Sequence, residues 1–287
     1  TVIKKRNRGM SILITKQSGE TAPFSKESLR KSLLNSGADK IDAEQICQKI
    51  EKEIYNGITT KELYEKAFKL LKGIRTSIAA RYSLKRALQD LGPEGFYFEK
   101  WVAKIFEVQG YDTTTSQTLT GKSSVNHEID VVISNRNADI VCECKFRNDI
   151  DAKISVTTPM YFLSRFNDLR NREFTFFNRS FKPSQGYLIT NAFFTTDSIA
   201  FSECYHINLI SWNYPEEHSI KRLTDRQGLY PITCLTTLTK EEEKTLLSKN
   251  CILVRELVKN PILLDHFKFT EDRKEIILNE AKELLSN

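Results

Sequence analysis

Residues 128–146 constrain the fold more than any other stretch of the chain. Glu128-Ile129-Asp130-Val131-Val132-Ile133 alternates as a strand, Ser134–Asp139 is a polar turn, and Ile140–Phe146 reads as a second strand. Strands joined so closely pair antiparallel. A helix over Tyr161–Leu169, a strand over Gly186–Thr190, a helix over Thr195–Tyr205 and a strand over Ile207–Trp212 follow. A hairpin succeeded by β-α-β predicts an α/β sandwich with a mixed sheet.

The same hairpin carries charges that a sheet face rarely holds without a use. Residues two apart in a strand share a face, so Glu143 and Lys145 project together, and Cys142 and Cys144 project to the opposite side. Asp130, on the preceding strand, is within reach of both. Two carboxylates that converge suit a hard divalent cation such as Mg²⁺ or Mn²⁺. A nearby ammonium can orient a water or stabilise charge that builds on a phosphate. An ion-pair ladder on an exposed sheet face would use the same three residues. Upstream, Phe98, Trp101, Val102, Ile105 and Phe106 make a helical apolar stripe that ends at Gly110. Glu99 borders that stripe and can point from the helix edge toward the charged face. Strand parity puts Glu128 on the face of Asp130 as an extra ligand candidate and turns His127 away as a structural residue.

Gly92-Pro93 is the clearest boundary. Before it, residues 11–24 read as a β-hairpin turning at Ser18-Gly19. Ser25 then caps a helix to about Ser36, and a second helix covers about 42–56. Thr59 with Glu62 forms a capping box for a third, and residues 75–91 form a fourth. Pro93 suits the first turn of the next helix. The tail, 231–287, has no glycine, reads as helices, and has a second capping box at Thr239 and Glu242. The expected organisation is a basic extension over 1–10, a hairpin-plus-helix domain over 11–92, the α/β domain over 93–230, and a helical region over 231–287.

Charge follows that division. The first 92 residues hold 19 Lys and Arg against 10 Asp and Glu, and the rest hold 24 against 27. A basic small domain suits a polyanion, either nucleic acid or the phosphates of a nucleotide. The tail, with 9 basic and 10 acidic residues, is not a basic DNA-binding arm. The six cysteines include no C-x-x-C pair and read as small buried thiols rather than a zinc site. No apolar run reaches the ~20 residues of a membrane helix. Thr1–Arg8 is basic without a following apolar stretch. These features predict a soluble cytoplasmic protein with no membrane partner.

The order of Glu in a first helix, Asp on a strand, then E-x-K on the next strand resembles the PD-(D/E)xK nucleases, and Mrr-like type IV restriction endonucleases most closely. Phe98-Glu99-Lys100-Trp101-Val102-Ala103 running to Gly110-Tyr111 resembles that family's opening helix. Gly186–Asn191 followed by Phe194–Ala200, and then Ile207–Trp212, resemble its late segments; the likeness spans about 93–215. The resemblance implies Asp130 and Glu143 as metal ligands, with the main-chain carbonyl of Cys144 a third. It implies Lys145 as the catalytic lysine and Glu99 as the helix acid that supports the metal. Ser164 or Arg165 matches a polar position on the later helix. The stretch Val125–Glu128 lacks the family's glycine-rich approach to the Asp.

Residues 11–92 resemble the ATP-cone, a nucleotide-binding regulatory domain, through Ile14–Gly19, Phe24-Ser25, Gly57–Thr60 and Ala80-Arg81-Tyr82. The resemblance implies Lys16, Gln17 and Thr60 as nucleotide contacts, although Gln17 stands where the family has a second basic residue. Ser28 likewise replaces a lysine. Arg81 and Lys85 can supply the missing charge. The tail faintly resembles a helix-hairpin-helix module but lacks its glycines, and packing is its expected role. Together these likenesses imply a Mg²⁺- or Mn²⁺-dependent DNA endonuclease of the restriction or anti-phage type. ATP or dATP would regulate it, and a dimer or larger homo-oligomer is expected. A nucleotide-responsive DNA-binding regulator with an inactive nuclease fold, and an RNA-cleaving nuclease, use the same residues.

Overall fold

The computed structural model describes residues 12–16, 19–92 and 94–286. The chain divides into two compact units, one ending at Tyr82 and the other beginning at Ser83. The expected basic extension over 1–10 and the helix-opening Pro93 lie outside the described residues.

The first unit is a hairpin on four helices. β1 (Leu13–Thr15) and β2 (Thr21–Pro23) pair antiparallel, with Leu13 opposite Pro23. α1 (Lys26–Asn35) starts at the expected cap, where the Ser25 hydroxyl accepts from the Ser28 N–H. α2 (Lys40–Glu53) starts earlier than expected because Asp39 caps it. α3 (Thr60–Ile74) carries the Thr59–Glu62 capping box. α4 (Thr76–Tyr82) completes the unit. Leu33, Ala43, Ile46, Ile50, Ala67 and Leu71 form its core.

The helix expected over 75–91 is two helices. α4 stops at Tyr82, and α5 (Leu84–Gln89) belongs to the second unit. α6 (Phe96–Glu107) begins later than the sequence suggests, after Gly95 at φ 82°. Its stripe is buried as expected at Phe98, Trp101, Val102 and Ile105.

The second unit is a mixed α/β fold, as the hairpin and β-α-β pattern requires. β3 (Asp112–Thr120), β4 (Asn126–Ser134) and β5 (Asp139–Cys144) form an antiparallel meander. After β6 (Lys153–Ile154) the chain forms α7 (Thr157–Leu169), the small hairpin of β7 (Phe174–Phe176) with β8 (Arg179–Phe181), and then β9 (Gln185–Ile189), parallel to β5. β10 (Phe193–Phe194) pairs with β6. α8 (Thr196–Cys204) leads to β11 (Asn208–Ile210), parallel to β9. The five-stranded order is β11-β9-β5-β4-β3. Val132, Val141, Phe162, Phe166 and Leu188 pack between the sheet and α7.

The tail packs on this unit. α9 (Ile220–Gln227), α10 (Lys240–Ser248), α11 (Val254–Lys259) and α12 (Glu271–Leu285) follow in order. The Trp101 indole N–H donates to the Leu229 carbonyl at 2.8 Å, and the Thr233 hydroxyl donates to the Ala87 carbonyl at 2.6 Å. The capping box at Thr239 and Glu242 forms. Cys47, Cys142, Cys234 and Cys251 are buried, whereas Cys204, at the end of α8, is exposed, contrary to the expectation of buried thiols throughout.

Candidate active site

The E-x-K strand builds the site as its parity requires. Glu143 is 3% exposed at the end of β5, and the Lys145 ammonium donates to its Oε1 at 2.5 Å. Cys142 and Cys144 share the other face, with their Sγ atoms 4.0 Å apart. Asp130 on β4 accepts from the Cys144 N–H at 2.6 Å, which ties its carboxylate to the main chain between Glu143 and Lys145. Thr190, just past β9, donates its hydroxyl to the Lys145 carbonyl at 2.5 Å, and the Lys145 N–H donates to the Ile189 carbonyl at 2.8 Å. The catalytic lysine candidate is therefore fixed by its backbone.

Glu99, Asp130, Glu143, Cys144 and Lys145 line one cleft of about 1000 Å³. Glu99 from α6, Asp130 from β4, Glu143 from β5 and Lys145 just past it thus converge where spacing alone left Glu99 on a helix edge. Their electrostatics show the crowding. Burial raises the Glu99 carboxyl from its ordinary 4.5 to about 7, and the charges of Asp130 and Glu143 add to that rise. Burial and then Glu143 raise Asp130 to about 6, against the opposing Cys144 N–H bond.

Arg165, on α7, supplies a counter-charge that the sequence left as one of two options. Its guanidinium donates to Glu143 Oε2 and to the Glu128 carbonyl, and it stacks over Tyr161 at 5.6 Å. Ser164 is exposed at the rim of the same cleft. Glu128 is exposed there too. The prediction for His127 needs correction. It does not turn away from the cleft: its Nε2 lies 2.8 Å from Asp168 Oδ2 on α7. The β3–β4 ladder skips the pair Ser116 and Asp130, and Ser116 sits at φ 56°. Simple alternation fails at that point, and Ile129 joins Val132 in the cluster under α7.

Asp130, Glu143 and the Cys144 carbonyl form an all-oxygen set of the kind hard cations take. Burial, and then mutual repulsion, raise the carboxyls of Glu99 and Asp130, and a bound cation would favour their ionised forms. The residues therefore fit such a metal. Among the described residues no group of three His, Cys, Asp or Glu side chains holds one unaided. Main-chain oxygen or water must complete the shell, and Arg165 must share or yield Glu143.

In the first unit, the Thr15 N–H donates to the Ile58 carbonyl at 2.9 Å, and Thr15 bridges to Thr59. This brings Lys16 and Thr60, both expected to meet a nucleotide, to one edge. The Lys16 ammonium pairs with Glu20 at 3.0 Å. Gln17 lies outside the described residues. Arg81 is placed on α4 with its guanidinium beside Gly37, past the end of α1 opposite the hairpin. Lys85 is in the second unit, where its ammonium donates to the Ile150 carbonyl at 2.5 Å and lies 4.1 Å from the Phe193 ring centroid. Burial lowers it to about 8.

Comparisons with known proteins mark three segments of the chain. Residues 12–91 match the ATP cone domain, 92–213 a restriction endonuclease catalytic domain of Mrr type, and 230–285 the AF1548-like C-terminal domain. An uncharacterised protein of Archaeoglobus fulgidus is 32% identical over 157 residues, which cover 55% of this chain and 83% of that one. A crystal structure of a protein of unknown function, AF1548, superposes with a TM-score of 0.54 at 29% identity, covering 66% of this chain and 97% of that one. No helix among the described residues is long and apolar enough to cross a membrane.

Proposed function

Because the chain carries an ATP-cone domain followed by an Mrr-type restriction endonuclease domain, we propose that it is a metal-dependent DNA endonuclease governed by a nucleotide. The observation that carries this reading is the convergence of Glu99, Asp130, Glu143 and Lys145 in one cleft. The reaction is in-line attack of water on a phosphodiester. Mg²⁺ or Mn²⁺, held by Asp130, Glu143 and the Cys144 carbonyl, would acidify a water and neutralise phosphate charge. Lys145, pinned through its backbone, orients the attacking water and stabilises the charge that develops on the phosphoryl oxygens. Glu99 supports the site from α6, and Arg165 keeps Glu143 in place.

In the cone, Lys16 and Thr60 are the contacts we assign to ATP or dATP, with Gln17 and Arg81 as further candidates. The Lys85 charge is already engaged in the second unit, so a nucleotide role for it would cost that contact. The setting this activity suits is destruction of foreign DNA in the cytoplasm. Regulation through a change of homo-oligomeric state fits a cone domain, and light scattering with and without ATP and dATP tests it: an unchanged mass in every condition contradicts regulation by assembly.

The test of the chemistry is plasmid cleavage with Mg²⁺ or Mn²⁺. Lys145→Ala is expected to reduce the rate at least ~10³-fold while the melting temperature stays unchanged. Equal cleavage by this variant overturns the assignment. A protein that shifts DNA in a gel but never cuts it would be the regulator instead. Cutting confined to RNA would change the substrate class and keep the site.

A further inference from the structure

The tip of the β3–β4 hairpin, Gly121–Val125, is fastened more firmly than a surface turn requires. Within the tip, the Gly121 N–H donates to the Val125 carbonyl at 2.8 Å, the Ser124 N–H donates to the Gly121 carbonyl at 3.1 Å, and Ser124 sits at φ 67°. The Val125 N–H also donates to Ser123 Oγ at 3.3 Å, and one residue on another element fastens the tip from outside. Asp168, near the end of α7 and only 9% exposed, accepts the Ser123 N–H on Oδ1 at 3.0 Å. Its Oδ2 accepts the Ser123 hydroxyl at 2.6 Å and faces His127 Nε2 at 2.8 Å. Its main-chain carbonyl accepts the Lys122 N–H at 3.0 Å. Gly121 is required for this approach, since a Cβ there would lie 1.9 Å from Asp168 Oδ2. The pairing with His127 and Ser123 holds the Asp168 carboxyl down at about 2.

The held tip forms one wall of the candidate active-site cleft, through Lys122, Ser123 and Val125. Val125 is 53% exposed. Tyr161, on the α7 side of the same cleft, is 62% exposed. An exposed branched side chain and an exposed aromatic ring thus both line a cleft whose floor is charged. A rigid apolar side chain can replace a base-stacking contact, and an aromatic face can receive the displaced base. A mobile tip would lose most of that advantage to the entropy of ordering it.

We propose that Val125 and Tyr161 form an apolar wedge that unstacks bases of duplex DNA at the cleft, and that Asp168 is the positioning residue that holds the tip carrying Val125 in place. This rests on the reading of the cleft as a DNA nuclease site. Unstacking lets the backbone bend toward the recessed Glu143, and Lys122 on the same tip meets a phosphate. Asp168 touches no reacting atom.

The experiment uses the full chain, a duplex with 2-aminopurine at several positions, and Ca²⁺ in place of Mg²⁺ to slow cutting. Anisotropy reads binding, and 2-aminopurine emission reads unstacking. The wild-type protein is expected to raise emission several-fold at saturation. Val125→Ser and Tyr161→Ser should each remove at least about half of that rise, with Kd changed by less than about tenfold, since one stacking contact contributes on the order of 1 kcal/mol. Both positions are exposed, so folding is not at stake. Asp168→Asn, which removes the charge facing His127 and replaces one of the two acceptor oxygens with a donor, should show the same loss of emission. Bound duplex with no rise in emission for the wild-type protein, or an equal rise in the variants, overturns the wedge and leaves the nuclease reading intact. Failure to bind any duplex, with cleavage absent as well, overturns both.

Discussion

At the scale of single residues, charge placement decides what the cleft can do. Glu99 at about 7 and Asp130 at about 6 both lie above their ordinary values of 4.5 and 3.8. The folded, metal-free protein therefore keeps protons that the unfolded chain has released. Its stability falls as pH rises from about 4 to about 7. A divalent cation replaces those protons, so the gain in Tm on adding Mg²⁺ should be larger near pH 8 than near pH 5.5. An equal gain at both values contradicts the assignment of these carboxylates. Glu280, on α12, is a residue whose role periodicity could not show. It is 3% exposed, and its two oxygens accept the N–H and hydroxyl groups of Thr236 and Thr237 at 2.6–3.0 Å. Glu280→Ala leaves four donors without that acceptor and should cost about 3 kcal/mol in urea unfolding.

At the scale of elements, the sequence was legible where pattern and chemistry coincide. The strand expected over Ile140–Phe146 forms as β5, and the common face of Glu143 and Lys145 follows from parity alone. The capping boxes at Thr59 and Thr239 form as written. β3 was illegible because Asp-Thr-Thr-Thr-Ser-Gln-Thr offers no apolar alternation, and its place at the sheet edge demands none. His127 was misdirected because a break in the ladder at Ser116 cannot be seen in residue types. The split of the helix over 75–91 was hidden too, since α4 and α5 have continuous helical composition. α5 then holds the segment that follows β5: Lys85 donates to the Ile150 carbonyl, and Gln89 donates to the Asn148 carbonyl at 2.8 Å. Gln89→Ala should therefore speed amide exchange across residues 147–151 severalfold without lowering global stability by more than about 1 kcal/mol. Unchanged exchange would show that α5 does not restrain this loop.

At the scale of the whole molecule, a cone with a basic excess precedes a nuclease-type domain that holds all four residues assigned to catalysis. Composition separated the two, and residue order within each named the family. The contact boundary at Tyr82 and the cone match to residue 91 place α5 in the cone by sequence and in the second unit by packing. The identity of the nucleotide and the direction of its effect lie in contacts that neither spacing nor charge encodes. The most direct measurement is the rate of plasmid cleavage with Mg²⁺ or Mn²⁺ in the absence of nucleotide, with ATP, and with dATP, for the wild-type and Lys145→Ala proteins. The account predicts cutting that requires Lys145 and changes rate when nucleotide is added. Cutting that survives Lys145→Ala, or no cutting under any of these conditions, would contradict it.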